Sequence, residues 1–132
     1  MLSLMFLMGA APQQAPAPAP ATAATPAVPP EALHMINPVK ATPEGQARAR
    51  KIYSYDCAVC HGVNGDGKGD IAATLKPAPK DWTNPATLQN VTDGEMFYVI
   101  TNGRGAMTPE VGRAKPDEIW NMVIMVRSFA KK

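Results

Sequence analysis

Cys57-Ala58-Val59-Cys60-His61 limits what this chain can fold into more than any other stretch does. Residues three and four apart share one face of a helical turn, so both thiols and the His61 imidazole point the same way. Cys-x-x-Cys-His is the spacing that attaches a c-type haem covalently. Each thiol can add across one vinyl group of a porphyrin and leave a thioether. His61 then faces the iron as its proximal ligand. Two other readings use the same residues. A structural zinc site takes four ligands, and the cysteines and histidines of the chain are Cys57, Cys60, His34 and His61, with His34 in a proline-flanked segment. A thioredoxin-like redox pair needs a βαβ setting, which the sequence does not show.

The charge distribution divides the chain. Residues 1–30 carry no charge, so the net charge of +2 belongs entirely to the residues from Glu31 onward. So small an excess makes no case for a nucleic-acid partner. The first segment, 1–11, is leader-like: Met1 to Met8 is apolar but too short to span a bilayer, and Gly9-Ala10-Ala11 follows. It is similar to the apolar region of a secretory signal, without the usual preceding Lys or Arg; a plain apolar terminus is the alternative. Residues 12–38 form a Pro/Ala-rich linker and an approach segment. Seven prolines fall between Ala11 and Pro30, and proline fixes φ and removes donors. An extended tether reaching roughly 60 Å is expected at ~3.1 Å per residue, and this segment is a candidate membrane tether. Residues 39–132 form a single domain. It is small enough to benefit from a staple, and a covalently held haem would supply a large apolar centre.

Three helices can be placed in that domain. Thr42-Pro43-Glu44 supplies an N-cap, a proline at the first helical position and an acid in the first turn. The helix should run to about Cys57, with Ala49, Tyr53 and Cys57 on one face. Gly62, Gly65, Gly67 and Gly69 then exclude regular structure. Pro77-Ala78-Pro79 offers carbonyls to the far nitrogen of His61, since a metal-bound histidine usually has such a partner. A second helix spans Thr92 to Asn102, with an apolar face of Met96, Phe97, Val99 and Ile100 and a stop at Gly103. A third runs from Pro116 to about Ala130, with a broad apolar stripe of Ile119, Trp120, Met122, Val123, Val126 and Phe129.

In this order the pieces resemble a class I c-type cytochrome, a monohaem cytochrome c domain. The resemblance covers residues 43–130. It rests on a helix entering C-A-V-C-H-G, a glycine-rich loop, a T-D-G-E helix, G-R-G-A-M, and a final helix with D-E-I-W and V-R-S. It implies an all-α fold, a small helical bundle wrapped around one covalent haem c, with the first and last helices crossing. It also implies that a loop methionine between the last two helices is the sixth iron ligand, and Met107 holds that position. Two features depart from the family pattern. Ala49 stands eight residues before the first haem cysteine, where glycine is common at the helix crossing. Thr108 separates Met107 from Pro109. Met96, Met122 and Met125 lie on helices, where methionine usually fills core. His34 is the alternative distal ligand.

A site so composed holds haem c through Cys57 and Cys60, with His61 and Met107 as its metal ligands. Two axial ligands saturate the iron, and a methionine ligand raises its potential. The expected function is therefore electron transfer rather than catalysis, and no nucleophile–base pair or phosphate loop argues otherwise. A fixed haem subunit of a respiratory or photosynthetic membrane complex is the second reading. A ligand-sensing or peroxidase-like domain, which would need Met107 to leave the iron, is the third. Redox proteins or a membrane complex are the expected partners, in an extracytoplasmic compartment such as the bacterial periplasm. Lys68, Lys76, Lys80, Arg104, Arg113 and Lys115 are expected to rim the docking face.

Overall fold

The computed structural model describes residues 27–130. The expectations for the leader and for the proline-rich tract up to residue 26, and the last two residues of the expected 39–132 domain, lie outside these residues. Five α-helices follow in order: α1 (Pro30–Leu33), α2 (Pro43–Asp56), α3 (Ala58–His61), α4 (Asp93–Asn102) and α5 (Pro116–Ser128). Short 3-10 turns occupy Ala72–Thr74 and Pro85–Leu88. Among the described residues there is no β-strand, only isolated bridges joining Arg104 to Met107 and Val111 to Ala114. The expected all-α class is the observed one.

The helices begin where their capping residues dictate. The Thr42 hydroxyl accepts from the Gly45 N–H at 3.0 Å, and the Thr92 hydroxyl accepts from the Glu95 N–H at 3.0 Å. Both satisfy donors that the first helical turn leaves open. At the start of α5 the Lys115 N–H donates to the Glu118 carboxylate at 2.8 Å. That carboxylate also pairs with Arg48 of α2 at 2.6 Å, so Arg48 is tied across the helix pair rather than merely solvated.

The core is the crossing of α2 and α5. Val123 and Ala49 are fully buried, and Ile119, Trp120, Met122, Met125 and Val126 surround them. Each such side chain contributes roughly 1.5–3 kcal/mol by leaving water. The absent glycine at position 49 does not hold the helices apart. A close approach is made one turn earlier, at Gly45, where an added Cβ would lie 2.7 Å from Asn121 Oδ1. Asn121 is buried with both polar side-chain atoms engaged. It accepts from Gln46 Nε2 at 3.1 Å and donates to the Asp117 carbonyl at 2.9 Å, as a buried amide must.

α4 packs on α5 through Phe97 and Trp120, whose rings stack with centroids 4.1 Å apart. The segment ahead of α2 joins this unit too. Ala32 is buried, and the Asn37 side chain donates to the Trp120 carbonyl at 3.2 Å. α1 lies so close to α4 that a Cβ on Gly94 would sit 1.9 Å from the Ala32 oxygen. Arg127 of α5 spans back to Asp93 at the start of α4, and to the Leu88 and Val91 carbonyls. The Asp93 carboxylate complements the positive N-terminal end of α4, and Arg127 pairs with it at 2.8 Å.

Candidate functional site

The attachment turn is a hinge between two helices. α2 ends at Asp56, and Cys57 starts α3 by accepting from the Cys60 and His61 N–H groups at 3.1 and 2.9 Å. Gly62 closes α3 at φ 79°, where a side chain would be strained and would meet Asp66. The glycine-rich loop then folds back on this turn. Gly67 N–H donates to the His61 carbonyl, Gly69 to Cys60 and Ile71 to Val59, at 2.9, 3.2 and 3.1 Å. From α2, the Tyr53 hydroxyl donates to the Gly62 carbonyl at 2.6 Å. Burial holds that phenol well above its ordinary pKa, so it remains a donor.

Cys57 and Cys60 are half-buried free thiols. Burial, with the nearby Glu110 and Asp56 carboxylates, pushes the Cys57 thiol up to about 12, so it carries its proton at neutral pH. Burial lowers the pKa of His61, which keeps its imidazole neutral with a lone pair to give. The ring stacks on Trp82, with centroids 4.2 Å apart and planes 15° off parallel. Trp82 is itself held by a bond from its backbone N–H to the Gly65 carbonyl at 2.8 Å.

The expected bond from His61 to a carbonyl of residues 77–79 is not made. His61 Nδ1 is buried without a partner. The Pro79 carbonyl is turned instead onto Gly67, 2.6 Å from where a Cβ would stand.

The methionine arrives on a tight loop. α4 stops at Gly103, at φ 74°, where a Cβ would lie 2.4 Å from the Met107 carbonyl. Arg104 and Met107 exchange backbone bonds of 3.2 and 3.0 Å. Glu110 and Val111 N–H groups then pin the loop's exit to the Ile100 and Thr101 carbonyls of α4, both at 3.0 Å. Met107 is half-buried and packs against the same core cluster as Cys57 and Trp82. Met96, Met122 and Met125 are buried in that core. His34 is exposed at the end of α1.

All six expected rim cations are exposed, and Lys68, Lys76, Lys80 and Lys115 make no salt bridge among the described residues. Arg104 pairs with Glu95 and Arg113 with Asp56. Trp82 and Glu110 are site residues that the sequence reading did not single out. Their signals were a lone tryptophan shortly after Pro79 and an acid close behind Met107.

The donor set fits a haem c. It offers two thiols on one turn, a neutral imidazole with a buried ring nitrogen, and a thioether on a loop packed against the same core. Comparison with known proteins points the same way. The family model described as cytochrome C oxidase, cbb3-type, subunit III matches residues 44–124. A cytochrome c6 of Leptolyngbya boryana is 30% identical over 86 residues, which are 65% of this chain and 94% of that protein. The cbb3-type cytochrome c oxidase subunit FixP of Azorhizobium caulinodans is 29% identical over 83 residues, 62% of this chain. The chain spans only 26% of that subunit. Among solved structures, the KustC0563 c-type cytochrome is similar with a TM-score of 0.57 and 26% identity, covering 63% of this chain and 98% of that one. A chain of the Kuenenia stuttgartiensis reducing HAO-like protein complex shares the fold at a TM-score of 0.59 and 23% identity, covering 80% of this chain and 50% of its own.

Proposed function

Because the chain belongs to the family of cytochrome c oxidase, cbb3-type, subunit III, as a monohaem class I cytochrome c domain, we propose that it passes single electrons between redox partners, with Cys57 and Cys60 holding haem c and His61 and Met107 binding its iron. When bound, haem c supplies a one-electron couple of ferric and ferrous iron. The chain's own residues do the rest. Cys57 and Cys60 would hold the haem as thioethers, each thiol adding across one vinyl group with its proton ending on the vinyl carbon. His61 is kept neutral by burial and oriented by its stack on Trp82. Met107 is delivered by a loop whose backbone bonds leave it little freedom. The soft, neutral thioether favours the ferrous state and raises the potential.

The observation that carries this reading is the attachment turn, closed over α3 by the glycine loop, together with Met107 packed on the same core cluster as Cys57. The deciding experiment is Met107→Ala. Covalent haem should persist, since both cysteines and His61 are untouched. The long-wavelength sulfur-to-iron absorption of the oxidised protein should vanish, the potential should fall, and carbon monoxide should bind the reduced form. Retention of the band and the potential would assign the sixth ligand elsewhere, and His34 would be tested next.

Two further parts of the reading concern setting. Likeness to FixP supports a place as a haem subunit of a membrane complex, while likeness to a cytochrome c6 that the chain nearly spans supports a free carrier. Co-purification from native membranes with identified neighbouring chains separates them. The compartment is extracytoplasmic, the leader-like segment being an export signal or anchor. Among the described residues no helix is long and apolar enough to cross a membrane. Expression without an export signal should yield colourless apoprotein, and abundant covalent holoprotein in the cytoplasm would overturn the assignment.

A further inference from the structure

Glu110 and Asn121 are the buried polar or charged residues among those described. Asn121 has all it needs in the α2–α5 crossing. Glu110 does not. It is only 3% exposed, and its Oε2 is buried with no hydrogen-bond partner. Its Oε1 lies 3.7 Å from the Arg113 guanidinium, too far for a hydrogen bond. That cation is already engaged by Asp56 at the end of α2. From α4, the facing groups are the backbone carbonyls of Ile100 and Thr101, which take the N–H groups of Glu110 and Val111. The carboxyl thus sits between a half-shared cation, a second carboxylate and the Cys57 attachment point. An unpartnered buried carboxylate is costly as an anion.

We propose that Glu110 couples proton uptake to electron uptake in this domain: its carboxyl takes one proton from water when the haem site gains one electron from a donor protein, and returns it on oxidation. The proposal rests on the haem c reading above. The charge balance is simple. One electron adds one negative charge to the site, and one proton on Glu110 removes it, with no bond broken at the haem. The field of Glu110 already reaches Cys57, where it raises the thiol's pKa, so a group bonded to Cys57 is within the same reach. Burial and Asp56 also hold the Glu110 carboxyl above its ordinary range against the pull of Arg113, which brings the titration toward neutral pH.

The test is the midpoint potential of the covalent holoprotein against pH, by spectroelectrochemical titration, in wild type, Glu110→Gln and Arg113→Gln. The wild-type potential should fall as pH rises, by at most about 59 mV per tenfold drop in proton activity for a one-electron couple. Glu110→Gln should lose that part of the slope and stay near the acid-side plateau, any remaining slope belonging to the haem propionates. Arg113→Gln should move the sloping interval to higher pH. Reduced-minus-oxidised infrared spectra of the wild type should show a carboxylic-acid carbonyl gained on reduction, absent in Glu110→Gln. If Glu110→Gln fails to fold, the Arg113→Gln shift and the wild-type infrared band decide. Identical slopes in wild type and Glu110→Gln, or no such infrared band, would overturn the proposal. The covalent haem and the Met107 band, recorded on the same samples, test the site reading separately.

Discussion

Met122 and Met107 are chemically identical side chains to which we assign opposite duties, core filler and iron ligand, and separating them tests the whole assignment. Met122 is 1% exposed. It lies between Asn121 and Val123 on α5, both buried, where the core around it has little room to collapse. Met→Ala in such a core costs roughly 2–5 kcal/mol through lost transfer and a residual cavity. Helix propensity returns only a few tenths of a kcal/mol, since Met and Ala are both good helix formers. A net loss of about 3 kcal/mol is therefore expected. For a domain of this size that lowers the melting temperature by about 12–24 °C. Met122→Leu, which nearly conserves volume, should cost under about 1.5 kcal/mol. The assay is thermal unfolding of covalent holoprotein by far-UV circular dichroism, with the absorption spectrum recorded below the transition. Met122→Ala should melt early yet keep the sulfur-to-iron band, and Met107→Ala should lose the band. A Met122→Ala protein that loses less than about 1 kcal/mol, or one that loses the band while folded, would refute the division between core and ligand.

Acid should weaken the α2–α5 pair through Glu118. The Lys115 N–H and Arg48 hold its carboxyl below the ordinary range; a depressed folded pKa gives stability that is present above the unfolded value of about 4.3 and lost as pH falls through the folded one. Wild type should thus lose more stability than Glu118→Gln between neutral and acid pH, by urea denaturation at each pH, and equal losses would remove Glu118 from the account. Gly94→Ala must push α1 off α4, because the new Cβ would sit 1.9 Å from the Ala32 oxygen; amide exchange should quicken around Ala32 while the haem spectrum stays unchanged, and unaltered protection would count against the contact. Electron transfer with an acidic partner should slow as salt rises, and Lys68→Glu with Lys80→Glu should flatten that dependence. Arg104→Gln should matter less, because Arg104 is engaged by Glu95; rates indifferent to ionic strength would mean a mixed, merely solvated rim.

The attachment turn and the three long helices were legible because their signals are contiguous. Covalent chemistry demands two thiols and an imidazole at fixed spacing, and Thr42, Thr92 and Gly103 mark helix ends through bonds to near neighbours. The candidacy of Met107 came only through resemblance, since the chain has eight methionines and spacing alone does not choose among them. What stayed hidden depends on residues far apart in the chain. Nothing near Gly94 announces that Ala32 will rest on it, and nothing near Gly45 announces Asn121. The stack of Trp82 on His61 arises because the loop returns to Gly65. Glu110 carries no local signal of burial, since it follows a Thr-Pro loop with a glycine close behind. Only its bond to the Ile100 carbonyl, fixing the loop on α4, turns the side chain inward.

The pairing of Gln46 with Asn121 joins residues 75 apart. Closing a loop of that length costs about 4 kcal/mol of chain entropy before any contact repays it. A ribosome must therefore release nearly the whole domain before α2 meets its partner, and until then the chain has no crossing to fold around. Such a chain stays threadable. Until then Cys57 and Cys60 lie beyond a helix that has not met its partner, more open than the half-buried thiols of the folded domain. The late meeting of α2 and α5 thus makes compactness wait for the last helix of the domain.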